Sequence, residues 1–179
     1  MPTHILENAE QIQRLRTSAR EAAERTAAAM RELLSKQPAI AALARMKFEE
    51  LGFHPIEDRR LNLIEQVNQT FTYLVSFAAA EEILIRHPGS APLHLNLGTS
   101  PGYDLVSPSQ SVVAEVFAAV RRTNNRKLVK DVVKVDSPRH STSTCSFTAQ
   151  MRPQAFLTLN SFRKWTWSHF PEKRSGGYR

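Results

Sequence analysis

Gly102-Tyr103-Asp104-Leu105-Val106, Ser107-Pro108-Ser109-Gln110 and Val112-Val113-Ala114-Glu115-Val116-Phe117-Ala118-Ala119-Val120 are the stretch that decides the fold class. Two apolar, β-branched runs separated by a Pro-Ser turn form a hairpin pattern. The second run is almost purely apolar, as a strand covered on both faces would be. Asp104 and Glu115 therefore stand out. An ionised carboxylate on such a strand is costly unless it is paired or binds a cation. Two of them on neighbouring strands could converge on one hard metal ion, because Mg²⁺ takes one or two carboxylates plus water and phosphate oxygens. Singly, each has a plainer reading: Asp104 as a turn residue, Glu115 as a strand-end or salt-bridged core carboxylate.

Outward from this stretch, the pattern changes on both sides. Leu93-His94-Leu95-Asn96-Leu97 alternates apolar and polar, which predicts a half-buried strand with His94 on the solvated face. Upstream, Leu61, Ile64, Val67, Phe71, Leu74, Val75, Ala78, Ile83 and Leu84 form a helical stripe between Glu57 and His87, stopped by Pro88-Gly89. Residues 5 to 36 hold Glu/Arg pairs and an Ala-rich run without Gly or Pro, predicting a long helix. Its apolar content is thin, so it is expected to protrude or to pack on a partner. A second short helix follows Pro38, with Ile40, Leu43, Met46, Phe48 and Leu51, and ends at Gly52. Downstream, Thr123-Asn124-Asn125 offers caps to a helix from Arg126 to Asp136, with Leu128, Val129, Val132, Val133 and Val135 inside.

The order is helix, three strands, helix, with an Asp on the second strand and a Glu on the third. In this it resembles the PD-(D/E)XK, or restriction-endonuclease-like, nuclease superfamily over about residues 57 to 137. The resemblance implies an α/β fold with an αβββα core (56–137) that needs a further strand; the residues themselves give an N-terminal helical region (1–55) and a basic tail (138–179) in which that final strand is missing or disordered. The resemblance implies a Mg²⁺ ion held by Asp104 and Glu115, with Glu65 on the preceding helix as a further ligand, acting on DNA phosphodiester bonds. It also implies a Lys two residues after the Glu, where this chain has Phe117. Phe neither binds metal nor polarises water, so either Lys127 or Lys130 substitutes from the next helix, or the fold binds nucleic acid or a protein partner without cutting. A third reading makes residues 5 to 52 a helical interaction module, through which the chain forms a homodimer or binds a partner protein.

Arg121, Arg122, Arg126, Lys127, Lys130 and Lys134 form the core's basic cluster, suited to phosphates or equally to a solvated helix face. The rest of the charge lies elsewhere. Of the net +7, residues 1–137 supply 17 cations against 16 anions and residues 138–179 supply 7 against 1, so overall basicity says little about the core. At 179 residues, with 41% apolar and 23% charged content, the chain suits one globular domain. One cysteine, Cys145, precludes an internal disulfide; with no apolar run long enough to span a membrane and no basic-then-apolar leader pattern, a cytoplasmic protein is expected. The six histidines include no pair at metal-binding spacing.

The tail is polar and unpatterned from Arg139 to Ser146. Joining the last base of each codon to the first two of the next, Thr144-Cys145-Ser146-Phe147-Thr148 permits Val/Leu/Met, Phe/Leu, Phe/Leu/Ile/Val and Tyr/His, a strand pattern. A change of reading frame near Ser137 to Ser141 would account for this, the ordinary alternative being a native basic tail.

Overall fold

The computed structural model describes residues 4–97 and 102–119 together with the strand Phe147–Gln150. The expected helix from Arg126, the basic cluster and the remainder of the tail lie outside the described residues.

The chain opens with strand β1 (His4–Leu6) and not with helix. Asn8 then stops the extended run, its side chain accepting the Gln11 N–H at 3.0 Å, and α1 (Ala9–Lys36) begins. Its buried residues, Ile12, Ala19, Ala22, Thr26 and Leu33, recur at intervals of three, four or seven. That narrow seam is enough to dock the helix, so α1 packs within the chain and does not protrude. The small Ala19 and Ala22 permit close approach, and Arg16 is joined to Glu81 of the helix beneath at 2.7 Å.

Pro38 ends α1 and leads into α2 (Ala39–Phe48). A hairpin of β2 (Gly52–Phe53) and β3 (Arg60–Leu61) follows, where the sequence pattern had suggested the start of the next helix. Phe53 anchors it. The guanidinium carbons of Arg25 and Arg60 each lie 3.8 Å from the centroid of its ring, and its N–H donates to Thr26 Oγ1 at 3.2 Å. Gly52 is required by proximity, since a Cβ there would come within 2.9 Å of the Gln66 Cβ.

Helix α3 (Leu63–Arg86) starts only after Asn62, whose side chain accepts the Glu65 N–H at 2.9 Å. Its buried surface is wider than the expected stripe, of which Val75 and Ile83 are buried. Ile64 and Val67 are exposed, whereas Tyr73, Phe77 and Ala80 are buried. The cause is that α3 lies between α1 and the strands and so buries parts of two faces. Its inner side chains meet Leu6, Ile12, Leu93, Leu95, Leu105 and Val116 in the main core. A smaller core holds Leu33, Ala42, Met46 and Leu63 together under α2.

The sheet has the order β1-β4-β5-β6, with β4 (Leu93–Leu95), β5 (Leu105–Val106) and β6 (Val113–Ala114), all antiparallel. The alternation around β4 is as expected: Leu93, Leu95 and Leu97 are buried, and His94 and Asn96 are half-buried. The Ser107–Gln110 turn joins β5 to β6, with Ser107 N–H bonded to Val112 O at 2.9 Å and Gln110 at a positive φ of 53°.

The long apolar run is broken at Glu115. Beyond it, β7 (Val116–Ala119) leaves the antiparallel sheet and pairs in parallel with β8 (Phe147–Gln150). A strand therefore forms within residues 138–179, where the sequence pattern had suggested none. Phe147-Thr148-Ala149-Gln150 alternates with period two over four residues, too short a pattern to stand out, and β7 supplies the backbone groups that such a strand needs. The structure is thus a mixed α/β fold of helices packed on a small sheet. Among the described residues no helix is long and apolar enough to cross a membrane.

Candidate carboxylate site

Asp104 and Glu115 are brought to the same level of the fold by the hairpin. The β5–β6 register pairs Val106 with Val113 and Leu105 with Ala114, and Asp104 and Glu115 are the two residues that flank this last pair. Three interactions hold the Asp104 end. Asn96 N–H donates to Asp104 O at 2.9 Å, Asn96 Nδ2 donates to Tyr103 O at 2.7 Å, and Val116 N–H donates to Asp104 Oδ2 at 2.7 Å.

The last of these lies where the pairing changes: Val116, whose N–H the Asp104 carboxylate takes, is the first residue of β7 and is paired with Phe147 of β8. Asp104 is half-buried and Glu115 is only 5% exposed. Hard carboxylate oxygens, one set almost out of water, are the donor type that suits Mg²⁺. One Asp104 oxygen is, however, engaged by the backbone.

Glu65 does not join them. Its Oε1 accepts from Gln69 Nε2 at 3.0 Å, one turn along α3, and its charge is felt by the Tyr73 phenol. Among the described residues no three His, Cys, Asp or Glu side chains converge as a metal site would need, so Asp104, Glu115 and Glu65 form no such group. The backbone of Phe117 lies in β7, while Arg121, Arg122, Arg126, Lys127 and Lys130 fall outside the described residues.

Comparison with protein-family models, curated proteins and solved structures finds no match.

A second polar centre was not legible in the sequence. His54, 3% exposed, heads the β2–β3 loop, and its Nδ1 accepts the N–H groups of Glu57 at 2.9 Å and Ile56 at 3.3 Å. An accepting Nδ1 leaves the proton on Nε2. That nitrogen faces Tyr73 Oη at 3.3 Å and Glu57 Oε2 at 3.5 Å. Burial lowers the His54 pKa, opposed by the Glu57 charge, and pushes the Tyr73 phenol up to about 12. The pair is thereby kept neutral with both ring nitrogens engaged, which suits pinning the loop to α3 and not proton transfer. The only sequence signal was a histidine preceding a proline, which is common in turns of many kinds.

Proposed function

We propose that this chain is a nuclease-like protein that acts on DNA phosphodiester bonds with Mg²⁺ held by Asp104 and Glu115. The observation that supports this is that a half-buried Asp and a buried Glu flank the last pair of the β5–β6 hairpin, with Asp104 Oδ2 accepting the N–H of the residue after Glu115 at 2.7 Å. Mg²⁺ bound there supplies Lewis-acid polarisation of the phosphate and a bound water of lowered pKa. Within this reading Asp104 is a ligand oriented by Asn96 and Val116, and Glu115 is a ligand buried against water. Lys127 or Lys130 stands in for the residue replaced by Phe117, and Arg121, Arg122 and Arg126 neutralise the DNA backbone.

A second reading, a nuclease fold that binds nucleic acid or a protein partner without cleaving, is favoured by two observations. Phe117 occupies the position of the usual Lys, and Asp104 Oδ2 already serves the backbone.

One experiment separates them. Melting temperatures are measured with and without Mg²⁺ or Mn²⁺ for the wild type and Asp104→Asn, alongside cleavage and retention of labelled duplex DNA. A metal-induced rise lost in Asp104→Asn, with metal-dependent cutting, supports the nuclease, because a ligand that binds only the native state stabilises it. DNA retained but uncut supports the binding reading. Equal metal shifts in both proteins remove the carboxylate site.

A further inference from the structure

His54 is held in a way that its protonated form cannot reproduce. Its Nδ1 accepts the N–H groups of Glu57 and Ile56, inside a loop that is closed by the bond from His54 N–H to Arg59 O at 2.9 Å. A proton on Nδ1 turns that acceptor into a donor facing two donors. Both bonds are then lost at a buried residue, where water does not replace them. Turning the ring over brings no relief, because both nitrogens of an imidazolium carry N–H. The His54 cation and the closed loop therefore oppose each other.

The charged and titratable groups around the ring come from several elements. Glu57, Asp58 and Arg59 lie on the loop itself, and Arg59 is bonded to Glu57 at 2.6 Å. Tyr73 and Glu65 belong to α3 and His4 to β1, while Arg25 of α1 and Arg60 of β3 flank the ring of Phe53, next to His54. Burial disfavours the His54 cation most, Arg59 and His4 add to this, and Glu57 opposes them. The ladder that carries the loop has two pairs, Gly52 with Leu61 and Phe53 with Arg60, so few backbone bonds hold its tip. Against opening stand Pro55, which is buried, and Ile56, which packs on the main core; these keep the loop shut while His54 is neutral.

We propose that the His54–Arg59 loop is an acid-operated flap, shut over Tyr73 while His54 is neutral and opened, with the rest of the fold intact, when His54 takes up a proton.

The test is native-state amide exchange of the full chain, followed by NMR between about pH 7 and 4.5, around and below the ordinary imidazole value, with the intrinsic effect of pH on exchange divided out. An opening that binds one proton grows by up to about tenfold for each unit that pH falls below that value. The Ile56 and Glu57 amides should lose protection by this factor, while those of Phe77 in α3 and Leu95 in β4 keep theirs. His54→Asn offers an acceptor that does not titrate and should abolish the slope. His4→Gln removes the neighbouring imidazole and should leave the slope in place. Ring nitrogen shifts of the wild type give a check that needs no variant: at neutral pH they should report the proton on Nε2, and a proton on Nδ1 overturns the proposal. Protection at Ile56 and Glu57 that does not change with pH overturns it as well, as does a slope that persists in His54→Asn or vanishes in His4→Gln. A slope shared equally by Phe77 and Leu95 also overturns it, since the whole chain then unfolds and no flap opens.

Discussion

Replacing Asp104 by Ala tests how much its carboxylate stabilises the chain where the pairing changes from β6 to β7. The variant removes the acceptor that Val116 N–H reaches at 2.7 Å, and Val116 is only 3% exposed, so water cannot take its place. A hydrogen bond to an ionised group contributes about 1.5–3 kcal/mol, and leaving a buried donor unpaired forfeits much of that. Asp104 is half-buried, which places the expected loss near the lower end, at about 2 kcal/mol. For a chain of this size each kcal/mol shifts Tm by roughly 2–4 °C, so a fall of about 4–8 °C is expected. Asp104→Asn keeps an acceptor oxygen but loses the charge, and its cost should be about half. Scanning calorimetry in the presence of a chelator measures both without any contribution from bound metal. An Ala variant within about 0.5 kcal/mol of wild type, the range of an ordinary surface substitution, would refute the role given to this carboxylate.

Two further outcomes follow from the core. Because burial holds the His54 pKa below the ordinary imidazole value of about 6.5, the unfolded chain binds a proton before the folded one as pH falls. Stability is then complete above that value and declines below it toward the folded-state pKa, and His54→Asn should flatten this part of the profile in urea titrations. If the variant and wild type lose stability in parallel, His54 is not the group responsible. Phe77→Ala empties a site that is 0% exposed between α1, α3 and the sheet, and should cost about 3–5 kcal/mol by chemical denaturation; a loss below about 1 kcal/mol would mean that α3 is not the centre of the core.

Local pattern carried a definite part of this architecture. The alternation of Leu93, Leu95 and Leu97, the turn at Ser107–Gln110, the short helix after Pro38 and the stop at Pro88 were each legible, because each depends on neighbours within a few residues. Glu115 stood out for the same reason, as one carboxylate inside an apolar run, and it is buried. What could not be read is what depends on partners far along the chain. β1 exists because His4–Leu6 meets Leu93–Leu95, and two-residue strands such as β2 and β3 have no periodicity to detect. The stripe expected of α3 held at Val75 and Ile83 but not at Ile64 and Val67, and it missed Tyr73 and Phe77, which a helix covered on two sides buries as well. That Glu65 bonds to Gln69 and that α3 brings Tyr73 to the His54 ring were likewise set by folding. The division of the apolar run at Glu115 is the clearest case. Glu115 marks the place in the sequence, but the parallel pairing of Val116–Ala119 with Phe147–Gln150 and the bond from the Val116 N–H to a carboxylate twelve residues earlier have no local signal. Side-chain type and spacing determine which face of a segment prefers to leave water, whereas its partner depends on long-range packing that balances chain entropy against hydrogen bonds and burial.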